Sequence, residues 1–118
     1  MSMSAAYLDY VLEQLGRVRP VTARRLFGGA GIYADGRIFA LVDDDTLYFK
    51  VDDTNRPDFE AAGMRPFEPR EGQVMSYWEV PGDVLEDVEL LEEWMERALA
   101  VGRKRQGPGF RGGDEEVR

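Results

Sequence analysis

Gly29-Ala-Gly31-Ile-Tyr-Ala34 has the spacing of the loose G-x-G-x-x-G/A pattern, which makes it the first place in this chain where residue types could do chemistry. It lies within RRLFGGAGIYADGRIFALV, Arg24 to Val42, where glycines stand at 28, 29, 31 and 36. Glycines so spaced cradle a pyrophosphate only when a strand precedes them and a helix follows, because the phosphate sits on the helix N-terminus. Here the glycines run into GIYADGRIFALV, which reads as strand, turn and strand. No alternating β-α pattern follows anywhere in the chain. The glycines are therefore read as turn or bulge residues, which use the backbone freedom that a missing Cβ allows. A glycine-lined surface approached closely by a partner's backbone is the other reading.

The remaining candidates for chemistry are weaker. Asp43-Asp44-Asp45 and Asp52-Asp53 are acidic, but they lack the spacing of a calcium-binding loop and read as solvated turns. Glu86 and Asp87 could exchange protons only inside a pocket. Ser76 stands in no G-x-S-x-G elbow, and the chain has neither histidine nor cysteine, so there is no usual base for it and no thiolate. Zinc in a Cys/His cage is excluded on the same ground, and no cofactor is expected. Ser76-Tyr77-Trp78-Glu79 is the stretch most suggestive of contact. In a strand Tyr77 and Trp78 point to opposite faces, so one belongs to the core while the other can anchor a partner. Arg103-Lys104-Arg105, with Arg111 beyond, could touch nucleic acid, but a cationic helix end on a solvated tail is the simpler reading.

The 118 residues suit one domain, and 43% hydrophobic with 32% charged content is that of an ordinary globular protein. The formal charge is −8, distributed as −10 over residues 1–100 and +2 over the last 18. An acidic body repels phosphate backbones, so autonomous nucleic-acid binding by the folded part is not expected. No apolar run has the length of a membrane span, and MSMSAAYLDY lacks the basic and apolar regions of a secretory signal. The expected location is the cytoplasm.

These residues need elements to position them. Residues 4–15 predict a helix with Tyr7, Leu8, Val11, Leu12 and Leu15 inward, Asp9, Glu13 and Gln14 outward, and Ser4 as its cap. From Val21 the period becomes two. Strands are expected over Thr22 to Phe27, ended by Gly28-Gly29, then over Gly31 to Ala34, Arg37 to Val42 and Thr46 to Val51. Asp35-Gly36 between two of them is a strong type I′ hairpin signal. Asp53 or Thr54 is expected to cap a short helix that ends near Ala62, with Phe59 and Ala62 on its buried side and Gly63 as its C′ residue. Met64 to Glu68 and Gln73 to Val80 predict a second hairpin around Pro69-Arg70-Glu71-Gly72. The last helix starts near Asp83, by capping-box spacing to Glu86, or resets at Asp87, with Val88, Leu91, Met95 and Ala98 in its apolar stripe. The order α-β-β-β-α-β-β-α, with one extra short strand, predicts a two-layer α+β fold: an antiparallel sheet of about five to six strands with helices on one face. Residues 1–102 form the domain, and 103–118 read as a basic, Gly-rich tail expected to be disordered.

Arg25-Leu26-Phe27-Gly28-Gly29, Gly31-Ile32-Tyr33, Asp35-Gly36, Phe39-Ala40-Leu41, Leu47-Tyr48-Phe49-Lys50-Val51 and Met75-Ser76-Tyr77-Trp78 together resemble the N-terminal domain of the TfoX/Sxy family, as does Asn55 to Gly63. The resemblance covers about residues 5–100. It implies a secretion-chaperone-like fold and a non-enzymatic role. Full-length relatives regulate natural competence as co-activators beside the cyclic-AMP receptor protein, and this chain stops where their second domain would begin. The expected function is thus a protein-interaction domain, in its sharper form a transcriptional co-regulator, with Phe27, Gly28, Gly29, Tyr33, Tyr77 and Trp78 as candidate partner-binding residues. Two alternatives stay open: a small-molecule or nucleotide-binding domain with a cleft by the glycine-rich turn, and a secretion-chaperone-like module, for which a homodimer is the expected assembly.

Overall fold

A computed structural model describes residues 3–26 and 28–105. Helix α1 (Ala5–Gly16) begins where Ser4 Oγ accepts a hydrogen bond from Tyr7 N at 3.1 Å, satisfying a donor the first turn would leave free. Then come β1 (Thr22–Leu26), β2 (Gly29–Ala34), β3 (Arg37–Asp43) and β4 (Thr46–Lys50). Helix α2 (Arg56–Ala61), β5 (Tyr77–Glu79), α3 (Gly82–Glu86) and α4 (Val88–Arg105) complete the order. The strands form one antiparallel sheet in the sequence order β1-β2-β3-β4-β5, so the fold is α+β. Among the described residues no helix is long and apolar enough to cross a membrane. Residues 106–118, most of the expected tail, lie outside the described residues.

The turns obey local chemistry. Asp35 and Gly36 both take positive φ, +53° and +77°, as a type I′ hairpin demands. Asp44 and Asp45 repeat the geometry at +52° and +53° without a glycine, a conformation aspartate tolerates better than most residues. Gly63, at φ +76°, closes α2 by donating its N–H to Glu60 O. Asp87 resets the last helix: its Oδ1 accepts from Glu89 N and Leu90 N at 3.0 and 3.3 Å. Asp83 makes no such cap; the N-cap of α3 is Pro81, whose side chain has no acceptor to offer.

One face of the sheet meets the helices. Ile32, Ala40, Val42, Leu47 and Phe49 pack against Leu8, Val11 and Leu15 of α1 and Leu91, Met95 and Ala98 of α4. A bulge opposite Ile32 and Tyr33 gives β3 one extra residue, so that Phe39 as well as Ala40 turns inward, with the Phe39 and Phe49 ring centres 5.8 Å apart. Phe59 of α2 joins the layer between Trp78, at 6.4 Å, and Trp94, edge-on at 4.7 Å. Buried apolar area of this kind is the main stabilising term for such a domain.

Several sequence expectations are corrected. Gln14 is buried rather than outward, because α3 packs on α1 and the Gln14 amide donates to Leu85 O at 2.9 Å. Ala62 and Val88 are exposed: each falls at a helix end beyond the reach of the core. Gly29 does not end the first strand. It begins β2, and Gly28, at φ +87°, lies in the turn before it. The second hairpin is present only as an irregular arm. Phe67 N donates to Tyr77 O, Met75 N to Phe67 O and Glu79 N to Arg65 O, yet regular strand is confined to Tyr77–Glu79. Pro66 and Pro69 explain this, since neither has an N–H to give a ladder.

Candidate functional site: a groove on the open face of the sheet

Side chains alternate along a strand, so each inward residue has a neighbour on the opposite face. Arg24, Gly31, Leu41, Tyr48 and Glu79 follow one another across that outer face by register. Among the described residues no helix layer covers them. The arm of residues 65–76 folds over part of this face, and the rings of Phe67 and Tyr48 meet at 4.7 Å. Its turn is held by Gln73 N donating to Arg70 O and by Gly72 N donating to Glu68 Oε2 at 2.8 Å.

Between the arm and the β1–β3 part of the sheet lies a groove of about 530 Å³. Leu26, Leu41, Gly29 and Asp43 line it from the sheet, and Phe67, Pro69, Met75, Arg70 and Gln73 line it from the arm. The groove is mostly apolar yet open. Leu26 and Met75 are each 36% exposed and the adjacent Val74 is 60% exposed, so large hydrophobic side chains cluster here in contact with water. Neighbouring exposed apolar side chains mark binding surfaces more often than scattered ones do.

Glycine shapes the groove. A Cβ on Gly29 would stand 2.3 Å from Val42 O, and one on Gly31 would meet Leu26 Cδ1 and Ile38 Cδ1, each at 2.9 Å. Both glycines therefore permit close approach within the sheet. Asp43 is buried beside Gly29, and loss of hydration, followed by the neighbouring Asp44 carboxylate, raises its pKa above the ordinary carboxylate value. Among the described residues, no three Asp or Glu side chains converge as a metal-ligand group.

The sequence candidates separate under this geometry. Phe27 lies outside the described residues. Gly28 is exposed in the turn between β1 and β2, and Gly29 lines the groove. Tyr33 is on the same outer face, half-buried, with the Arg24 guanidinium 5.5 Å from its ring centre. Tyr77 is also on the outer face but buried, 5.7 Å from Lys50 Nζ. Trp78 faces the helices and belongs to the Phe59 cluster, so it does not join the others. Sequence reading missed Leu26, Leu41, Phe67, Pro69 and Met75 as groove residues. The only signal for them was surplus: Val74 and Met75 are apolar in a limb whose opposite face already supplies Trp78 to the core.

The family model described as the TfoX N-terminal domain matches residues 13–101. No curated protein matches the chain. The matched span runs from the last turn of α1 into the last third of α4 and contains the whole sheet, the arm and the groove.

Proposed function

The chain belongs to the TfoX N-terminal domain family, and from that premise we propose that it is a non-enzymatic, cytoplasmic protein-interaction domain. Its binding surface is the open face of the sheet. The observation that carries this reading is the groove with Leu26, Val74 and Met75 exposed around it, an apolar surface that a solitary domain has no reason to leave wet. The absence of histidine and cysteine from the chain favours contact over covalent or acid–base catalysis. Within this reading, a transcriptional co-regulator acting through protein contacts is the form the family resemblance favours.

Immobilised chain, wild type and with Leu26→Asp or Met75→Asp, tests the proposal against cell extract, with and without added RNA polymerase or a receptor-type activator. Retention of a transcription component by the wild type alone is the expected result. Retention of none by any of the three proteins counts against the regulatory form.

One observation favours a second reading. The groove volume is within the roughly 300–1,000 Å³ range of small-molecule sites, and Gly29 of the glycine-rich turn lines it. An apolar small ligand would raise the melting temperature in proportion to its saturation of the site. A thermal-shift screen that moves the wild type but not Met75→Asp would favour this ligand reading over the protein partner.

A further inference from the structure

The two edges of the sheet are not equivalent. At β5 the arm supplies a neighbour: Pro66 bridges Trp78, and Phe67 and Arg65 exchange backbone hydrogen bonds with Tyr77 and Glu79. At β1 the backbone pairs only with β2 among the described residues, and four of its five residues are exposed. Unpaired N–H and C=O groups along such an edge are a template for another strand.

What lies along that edge selects the occupant. Arg24 and Arg25 are both exposed on β1, one on each face of the strand, and the strand ends at Leu26 on the wall of the groove. A second copy of this chain is a poor fit. Pairing β1 with itself in a register centred on Arg24 or Arg25 would set arginines from two copies within roughly 5 Å of one another, where like charges oppose association. Charge alone would serve to guard an edge, but a guard does not require the adjoining apolar groove. On the arm Glu68 and Glu71 stand close to Arg70 in sequence, and Asp43 lines the groove, whereas Arg24 and Arg25 have no acidic neighbour on their own strand. The acidic α4 side chains, Glu89, Glu92 and Glu93, belong to the helix layer, on the side of the sheet opposite Arg24 and the groove; Arg25 is the arginine that shares their side. At physiological ionic strength a separation of about 8 Å already screens much of their repulsion.

We propose that β1 and the groove together bind an extended acidic segment of a partner protein. The segment adds to the sheet as a sixth strand. Its acidic side chains lie beside Arg24 and Arg25, and an apolar side chain enters the groove next to Leu26. This inference rests on the protein-interaction reading above and names the partner's chemistry. Main-chain hydrogen bonds would supply affinity, while the arginines and the groove would set register and choice.

The probe is a fluorescein-labelled peptide, Glu-Asp-Val-Glu-Leu-Glu, titrated with the full chain by fluorescence anisotropy. The expected result is saturable binding that Arg25→Glu weakens about tenfold or more, while Arg56→Glu, on α2, changes it by less than about twofold. Arg24→Glu should act like Arg25→Glu, and unchanged melting temperatures would show that the variants remain folded. A peptide N-methylated at alternate amides should lose binding with the protein left unaltered. Equal binding of the N-methylated peptide overturns strand addition. Equal binding of a version with lysine in place of every acid overturns the charge argument. A concentration-dependent dimer in sedimentation that Arg25→Glu abolishes would assign the edge to a second copy and overturn the proposal. No binding up to about 1 mM also overturns it. If Leu26→Asp still abolishes capture of a transcription component in that case, the broader interaction reading stands; if nothing is captured either, both fall.

Discussion

On the helix side of the sheet, Ile32, Phe39 and Phe49 are fully buried, whereas on the other side Leu26 and Met75 are each 36% exposed. The same strands supply both faces. The difference lies in what covers them: α1 and α4 seal the first, and among the described residues only the arm of residues 65–76 leans over the second. An antiparallel sheet can be stable with one face packed and the other in water, so the inner face suffices for folding. The outer face is then free to carry apolar side chains that folding does not need, which is the usual physical position of a binding surface.

That contrast can be broken from the inside. Phe49→Ala should cost about 3–5 kcal/mol, since the ring is wholly buried against Phe39 and its loss leaves a cavity. Chemical denaturation would measure it, and a loss near zero would mean that the inner face is not the stabilising core. Gly29→Ala comes next, at about 1–3 kcal/mol, because its Cβ would press on the Val42 carbonyl and the sheet backbone must shift. It acts on the seam between the faces, so stability and groove binding should fall together.

Smaller effects sharpen the contrast. Asp43 holds its proton more tightly in the folded protein than in the unfolded chain. Ionising it therefore costs stability, a cost present in full at neutral pH and lost as pH falls through the ordinary carboxylate range. Asp43→Asn should raise the melting temperature at neutral pH and leave it nearly unchanged in acid. The opposite trend would show that the carboxylate is stabilised by its surroundings. Smallest in stability is Met75→Ser, expected within about 0.5 kcal/mol of wild type, although it should weaken whatever the groove binds. A large destabilisation would instead make the outer face part of the core.

Much of the fold was legible because its signals are local. Ser4 caps α1, Asp35-Gly36 turns a hairpin and Gly63 closes α2, each through groups a few residues apart. The alternation of Leu47, Phe49 and Val51 announced a half-buried strand, and all three are buried. The arm was harder to read. Its apolar residues suggested strands, but Pro66 and Pro69 deny the ladder its donors, and propensity does not weigh that loss correctly. Gln14 looked solvent-facing by period; only the docking of α3, from the far end of the chain, gives its amide a buried partner.

The candidate site divides in the same way. The glycine-rich stretch was recognised as structural punctuation, and Gly29 and Tyr33 do lie on the face with the groove. Tyr77 and Trp78 were known to point apart, but alternation does not say which side has the helices.

From its own residues, then, the chain determines one α+β domain, the hairpin turns, the helix cap and the family. Each follows from short-range sterics, hydrogen bonding or hydrophobic period. Tertiary structure alone decides that Phe39 turns inward at a bulge, that Trp78 packs inside while Tyr77 stays outside, and that Leu26 and Met75 face each other across a groove. Those outcomes depend on contacts between segments far apart in the chain, and no local period encodes which distant surface will arrive to cover a side chain.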